Sequence, residues 1–174
     1  MATWKEFAEA KPEMAERGFR HLNIPLAYLA TVRRDGAPRL HPVSPIFADG
    51  RLFVAILPTS PKKFDLYHDG RYSLHALPPP LDENYDEFEF NITGRATRVT
   101  DPKTRALVSD EEMRRSRPRL NDDDWLFEMD IESALTTVWN HKMAKRGDEW
   151  LPTLAETPQA RRAVWQAPRA SKGK

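Results

Sequence analysis

With 174 residues, 40% hydrophobic and 30% charged, the chain has the size and composition of one globular domain with a real core, not of a disordered segment. Its formal net charge of +1 gives no strong long-range field and argues against a nucleic-acid partner. The lack of cysteine excludes disulfides, thiolate metal sites, iron–sulfur clusters and a cysteine nucleophile, and a polar N-terminus with no apolar run near ~20 residues predicts a soluble, cytoplasmic protein without a membrane span.

The chain opens with a helical lead-in over residues 3–22. Thr3 and Glu6 have the spacing of a capping box, and Pro12 breaks or restarts the helix. From Pro25 the apolar period changes to that of strands. Leu26–Val32 is closed by an Asp35-Gly36 turn, and Pro38–Phe47 follows as a second strand whose Pro42 and Pro45 demand an edge or a bulge. Asp49-Gly50 turns into Leu52–Leu57, which completes a three-stranded meander.

A short helix opens at Ser60-Pro61-Lys62-Lys63, with Ser60 as cap and Pro61 at the first helical position, and ends near Asp69-Gly70. Arg71–Leu77 is a fourth strand, stopped by Pro78-Pro79-Pro80. The alternation of Phe88, Phe90 and Ile92 marks a half-buried fifth strand that runs on to Val99. A helix over Lys103–Arg115 and a polar loop over 116–124 precede Trp125–Ile131 and Leu135–Trp139, read as a long last strand. The tail from His141 is charged and irregular, with a short helix around Ala155–Trp165 and disorder at its end. The fold class is therefore mainly β (α+β): a six-stranded antiparallel split or closed barrel with flanking helices, residues 1–150 forming the domain and 151–174 a tail.

Two local patterns carry chemistry. A helix start at Lys62 and Lys63 combines backbone N–H groups with two ammonium charges, which suits a terminal phosphate; the same lysines also fit a merely exposed turn. Arg39 and His41 stand two apart in a strand and so share a face with Val43, a plausible grip for another part of a phosphorylated ligand or simply an exposed arginine beside a backbone-bonded histidine. The other histidines, His21, His68, His75 and His141, lack metal spacing, and no metal site is predicted. Asp110-Glu111-Glu112 and Asp122-Asp123-Asp124 read as solvated charge. No hydrolase elbow, P-loop or dinucleotide glycine pattern occurs.

The segments Leu29-Ala30-Thr31-Val32-Arg33-Arg34-Asp35-Gly36-Ala37-Pro38-Arg39-Leu40-His41-Pro42-Val43, Ala48-Asp49-Gly50-Arg51-Leu52-Phe53-Val54, Ser60-Pro61-Lys62-Lys63-Phe64-Asp65-Leu66 and Asp69-Gly70-Arg71-Tyr72-Ser73-Leu74 resemble, in order, the pyridoxamine 5′-phosphate oxidase-like family. That resemblance implies a split-barrel homodimer with Greek-key character and FMN at the subunit interface. It implies that Arg39, Lys62 and Lys63, with Ser60, hold the FMN phosphate. It places the isoalloxazine ring along His41, Pro42, Val43 and Ser44 and along Val54, Ala55 and Ile56, with Trp139 or a neighbour contributing. The oxidase's C-terminal substrate-binding arginine motif has no counterpart in the tail around Arg161-Arg162-Ala163-Val164-Trp165, which sets vitamin B6 oxidation aside. The implied activity is an FMN-dependent oxidoreductase acting on a small molecule. A deazaflavin-dependent reductase, a non-enzymatic flavin- or haem-binding module, and a nucleic-acid or regulatory protein are the alternatives.

Overall fold

The computed structural model describes residues 1–24, 26–77, 88–139, 142–153 and 160–168. Two helices lead in, α1 (Trp4–Ala10) and α2 (Pro12–Leu22). The predicted capping box forms: the Thr3 hydroxyl accepts from the Glu6 N–H at 3.3 Å, and the Glu6 carboxylate accepts from the Thr3 N–H at 2.7 Å. Pro12 restarts the helix after a corner at Lys11. Trp4 and Phe7 drive α1 into the sheet, with ring centroids 4.8 Å from Phe47 and 4.9 Å from Trp165 respectively.

The strands are β1 (Ala27–Val32), β2 (Pro38–Val43), β3 (Pro45–Ala48), β4 (Arg51–Ile56), β5 (Arg71–Ala76), β6 (Phe88–Val99), β7 (Trp125–Trp139), β8 (Lys142–Arg146), β9 (Glu149–Thr153) and β10 (Ala160–Gln166). Helix α3 (Lys62–His68) joins β4 to β5, and α4 (Pro102–Arg114), capped by Asp101, joins β6 to β7. The main sheet is antiparallel in the order β2-β1-β5-β6-β7-β4-β3, and β10 also pairs with β7. Because α3 carries the chain from β4 back beside β1, the order has Greek-key character.

The two ends of that order, β2 and β3, are consecutive in the chain and separated only by Ser44. A sheet whose first and last strands are one continuous segment has to curl round on itself, so the split barrel is closed by the backbone instead of by a ladder. β7 supports the whole: β6 lies along one of its edges, while β4 pairs residues 125–128 and β10 pairs residues 133–139. A bulge at Thr93/Gly94 lets β6 follow the curve. A Cβ at Gly94 would sit 1.8 Å from the Asp130 carbonyl oxygen, so only glycine fits there.

The split-barrel fold is as predicted, and the strand count differs for two reasons. The expected second strand is divided at Ser44, as Pro42 and Pro45 require. The expected helix around Ala155–Trp165 is replaced, over its described part, by β10; the tail is not irregular, since 142–153 form the β8–β9 hairpin. The predicted end of the domain at residue 150 falls inside β9.

The interior has two parts. Leu29, Leu74, Phe90, Ile92, Phe127, Met129 and Ile131 pack with α1 and α2 in the main core. Ile46, Phe53, Val108 and Leu126 form a smaller cluster under α4. Arg115 ties that cluster to the lead-in by donating to the Asn23 carboxamide oxygen at 2.6 Å and the Phe47 carbonyl at 3.3 Å.

Candidate functional site

The register of the β3–β4 pair sets Pro45 opposite Val54. Continued one and two residues further, it would set Ser44 opposite Ala55 and Val43 opposite Ile56, but those pairs are absent and β2 turns away to pair with β1 alone. The hydrogen-bonded ladder is therefore interrupted between the outer edge of β2 and the end of β4, and this break in pairing is the gap of the split barrel. Residues 42–43 are laddered to β1 and residues 55–56 to β7, not to each other, and these two lengths carry the residues singled out for the flat ring.

The side chains along the gap are unequal. His41 is half-buried on the inner face of β2, Val43 is buried, and Pro42 and Ser44 are exposed. Val54 and Ile56 point into the main core and are fully buried, while Ala55 packs against the smaller cluster. From β4, the Val54 and Ile56 side chains are closed to a ligand, while Ala55 is partly exposed. Trp139 is the last residue of β7, paired with Ala160; its side chain is outside the described residues.

The four phosphate candidates also separate. Arg39 pairs with Thr31 across the β1–β2 ladder, and its Nε donates to Asp65 Oδ2 at 2.7 Å. The Thr31 hydroxyl donates to the same oxygen at 2.9 Å. Asp65 is buried, so this is a structural carboxylate, and it fixes Arg39 through Nε alone, leaving both terminal nitrogens to point onward. Lys62 Nζ reaches across the gap to the Pro42 carbonyl at 3.2 Å, and partial burial holds its pKa below the ordinary lysine value. Lys63 Nζ takes the Pro58 carbonyl and lies over the rings of Phe64 and Trp125, 4.7 and 5.2 Å from their centroids.

Ser60 does not cap α3; residue 61 is the N-cap and no side chain bonds there. The Lys63 and Phe64 N–H groups are bonded to the Ser60 and Pro61 carbonyls at 3.4 and 3.0 Å, so the helix start is not the open set of donors that the sequence suggests. Beside it, Arg33, Arg34, Arg39, Pro61 and Phe64 line a cleft of about 500 Å³. Arg33 is paired with Asp35 at 2.8 Å, and Arg34 has no partner among the described residues.

Sequence reasoning missed Asp65 and Thr31. An inward arginine on a strand needs a buried acceptor, and the Phe64-Asp65-Leu66 run, an acid between two apolar residues on a short helix, was the available signal. His75 is held by the backbone: its Nδ1 lies 2.6 Å from the Ala76 carbonyl oxygen. No group of three or more metal-ligating side chains occurs among the described residues, and none of their helices is long and apolar enough to cross a membrane.

A Greek-key barrel split at one strand, with cations along the split, defines the class. Residues 15–137 match the family described as pyridoxamine 5′-phosphate oxidase, and the chain belongs to that family. Similar solved structures include a conserved hypothetical protein from Mycobacterium tuberculosis (19% identity over 69% of this chain and 81% of that one, TM-score 0.58). A heme binding protein from Mycobacterium smegmatis is 15% identical over 83% of this chain but only 56% of its own length, with TM-score 0.55. A NimC/NimA family protein from Clostridium acetobutylicum is 12% identical over 85% of this chain and 91% of that one, with TM-score 0.54. At these identities the likeness is one of fold. No protein of curated function matches the sequence.

Proposed function

We propose that the chain is a homodimeric FMN-dependent oxidoreductase acting on a small molecule, with the flavin ring in the gap between β2 and β4. The observation that carries this reading is the interrupted ladder itself. Residues 42–44 and 55–56 lie where the β3–β4 ladder would continue, and the strand edges they form there, not laddered to each other, suit a flat, polar-edged ring. Lys62 already reaches Pro42, and its pKa is lowered by partial burial, a cost a phosphate would offset. Arg39, oriented by Asp65, is the second phosphate ligand, and Lys63 the third. Bound flavin supplies the redox chemistry; the chain supplies orientation and hydrogen bonds. The second subunit covers the outer face of β1 and β2, where Tyr28 and Leu40 are 43% and 62% exposed.

The test is an absorbance titration of the apo-protein with FMN, the deazaflavin and haemin in parallel. FMN is expected to bind near one per chain, and Lys62→Ala with Lys63→Ala to weaken it by about 1–3 kcal/mol. Unchanged affinity in that variant removes the lysines from the site. A preference for the deazaflavin would keep the site, since the same cations would serve it, and change the reaction class. Haemin binding alone would favour the non-enzymatic reading that the Mycobacterium smegmatis protein suggests.

A further inference from the structure

A second cleft, of about 600 Å³, lies where the corner between α1 and α2 overhangs β7 and β10, and it shares no residue with the gap. In the β7–β10 ladder Arg161 pairs with Val138, Ala163 with Thr136 and Trp165 with Ala134. Cross-strand partners share a face, and Trp165 and Ala134 are buried on the helix side. Arg161, Ala163 and Val138 are therefore the floor of the cleft, and Arg162 stands at its rim. Lys11 and Arg17 face the floor from the helices, and Glu13 is the one acid in the lining.

Four cations line the cleft beside one acid; Arg17 has a partner, and the other three, Lys11, Arg161 and Arg162, stand together in a chain whose entire formal charge is +1. Lys11, Arg161 and Arg162 have no acidic partner among the described residues. Clustered like charge is unfavourable and is normally interspersed with the opposite sign. Here it surrounds apolar surface from Met14, Val138 and Ala163 in a concavity of ligand size.

We infer that this cleft binds an amphipathic anion, a carboxylate or phosphate head on an apolar body, with the head at Arg161 and Lys11 and the body over Met14, Val138 and Ala163. The ligand is a free molecule in solution, its apolar body lying over Met14, Val138 and Ala163 in an open cleft between the helix corner and the sheet. Calorimetry on the full chain with decanoate, decyl phosphate and the neutral decanol, each below its micellar concentration, tests this. Both anions are expected to bind at least tenfold more tightly than decanol, with affinity falling as salt rises. Lys11→Glu with Arg161→Glu is expected to lower that affinity at least tenfold while FMN titration is unchanged, so that failure here and failure of the flavin reading stay distinct; Arg161→Gln serves if the double variant does not fold. Equal binding of decanol, unaltered binding by the variants, or capture only by anionic vesicles and not by monomeric decanoate would overturn the inference.

Discussion

β7 and the segment from Pro38 to Ala48 meet the same need, a strand inside a barrel, in opposite ways. β7 runs 15 residues with neither proline nor glycine and has neighbours along both edges. The Pro38–Ala48 segment has prolines at 38, 42 and 45 and changes its partner from β1 to β4 at Ser44. Proline cannot donate to a ladder, so hydrogen bonding is given up where the segment bends. The uninterrupted strand organises the core, and the interrupted one leaves backbone and cations accessible. On the proposed function, stability and ligand contact fall to different strands.

The comparison breaks if damage to the β6–β7 pair is mild. Gly94→Ala places a methyl against the Asp130 carbonyl, and neither strand can retreat without losing its outer neighbour. We expect a loss of about 3 kcal/mol or more, seen as a fall of roughly 6–12 °C in Tm by calorimetry. A smaller effect belongs to the bent segment. Asp65→Asn removes the counter-charge of Arg39, whose side chain is 25% exposed, and keeps one acceptor for Thr31. Solvent screening at Arg39 reduces the penalty of a broken buried pair to about 2 kcal/mol, measurable by denaturant titration. A loss as large as that of Gly94→Ala would show that the bend, and not β7, holds the fold.

The smallest effect has the opposite sign. Glu112 on α4 is buried, and burial raises its pKa above the ordinary glutamate value although Arg117, 3.4 Å away, opposes the shift. A carboxyl with a raised folded pKa favours the folded state at pH below its unfolded value, and that advantage is lost as pH rises through the folded value. Glu112→Gln is therefore expected to be neutral or to stabilise by less than about 1 kcal/mol at pH 7, and to lose its advantage when the comparison is made near pH 4. A clear loss at pH 7 would mean that the Arg117 pair outweighs the burial.

The sequence made the bent segment more legible than the tail. Pro42 and Pro45 announced an interruption, and Arg39 and His41 were correctly placed on one face, because period 2 and the missing N–H are local properties. The divergence of Lys62 and Lys63 was hidden, since adjacent helical residues point about 100° apart and only the tertiary surroundings decide which acceptors they meet. β10 was read as helix because Ala160 to Ala163 hold two alanines and two arginines, good helix formers without apolar alternation. Its strand state comes from pairing with β7, which the local composition does not encode.

That pairing also has a consequence for synthesis. The edge of β7 over residues 133–139 is completed only by residues 160–166, while the Ala2 N–H and carbonyl bond to Ile131 at 2.8 and 2.7 Å. Ala2 thus waits for a strand made much later, and that strand in turn waits for residues 160–166. During translation one edge of the longest strand is open to any neighbouring chain, so crowded expression should favour aggregates nucleated there until β10 arrives to close it.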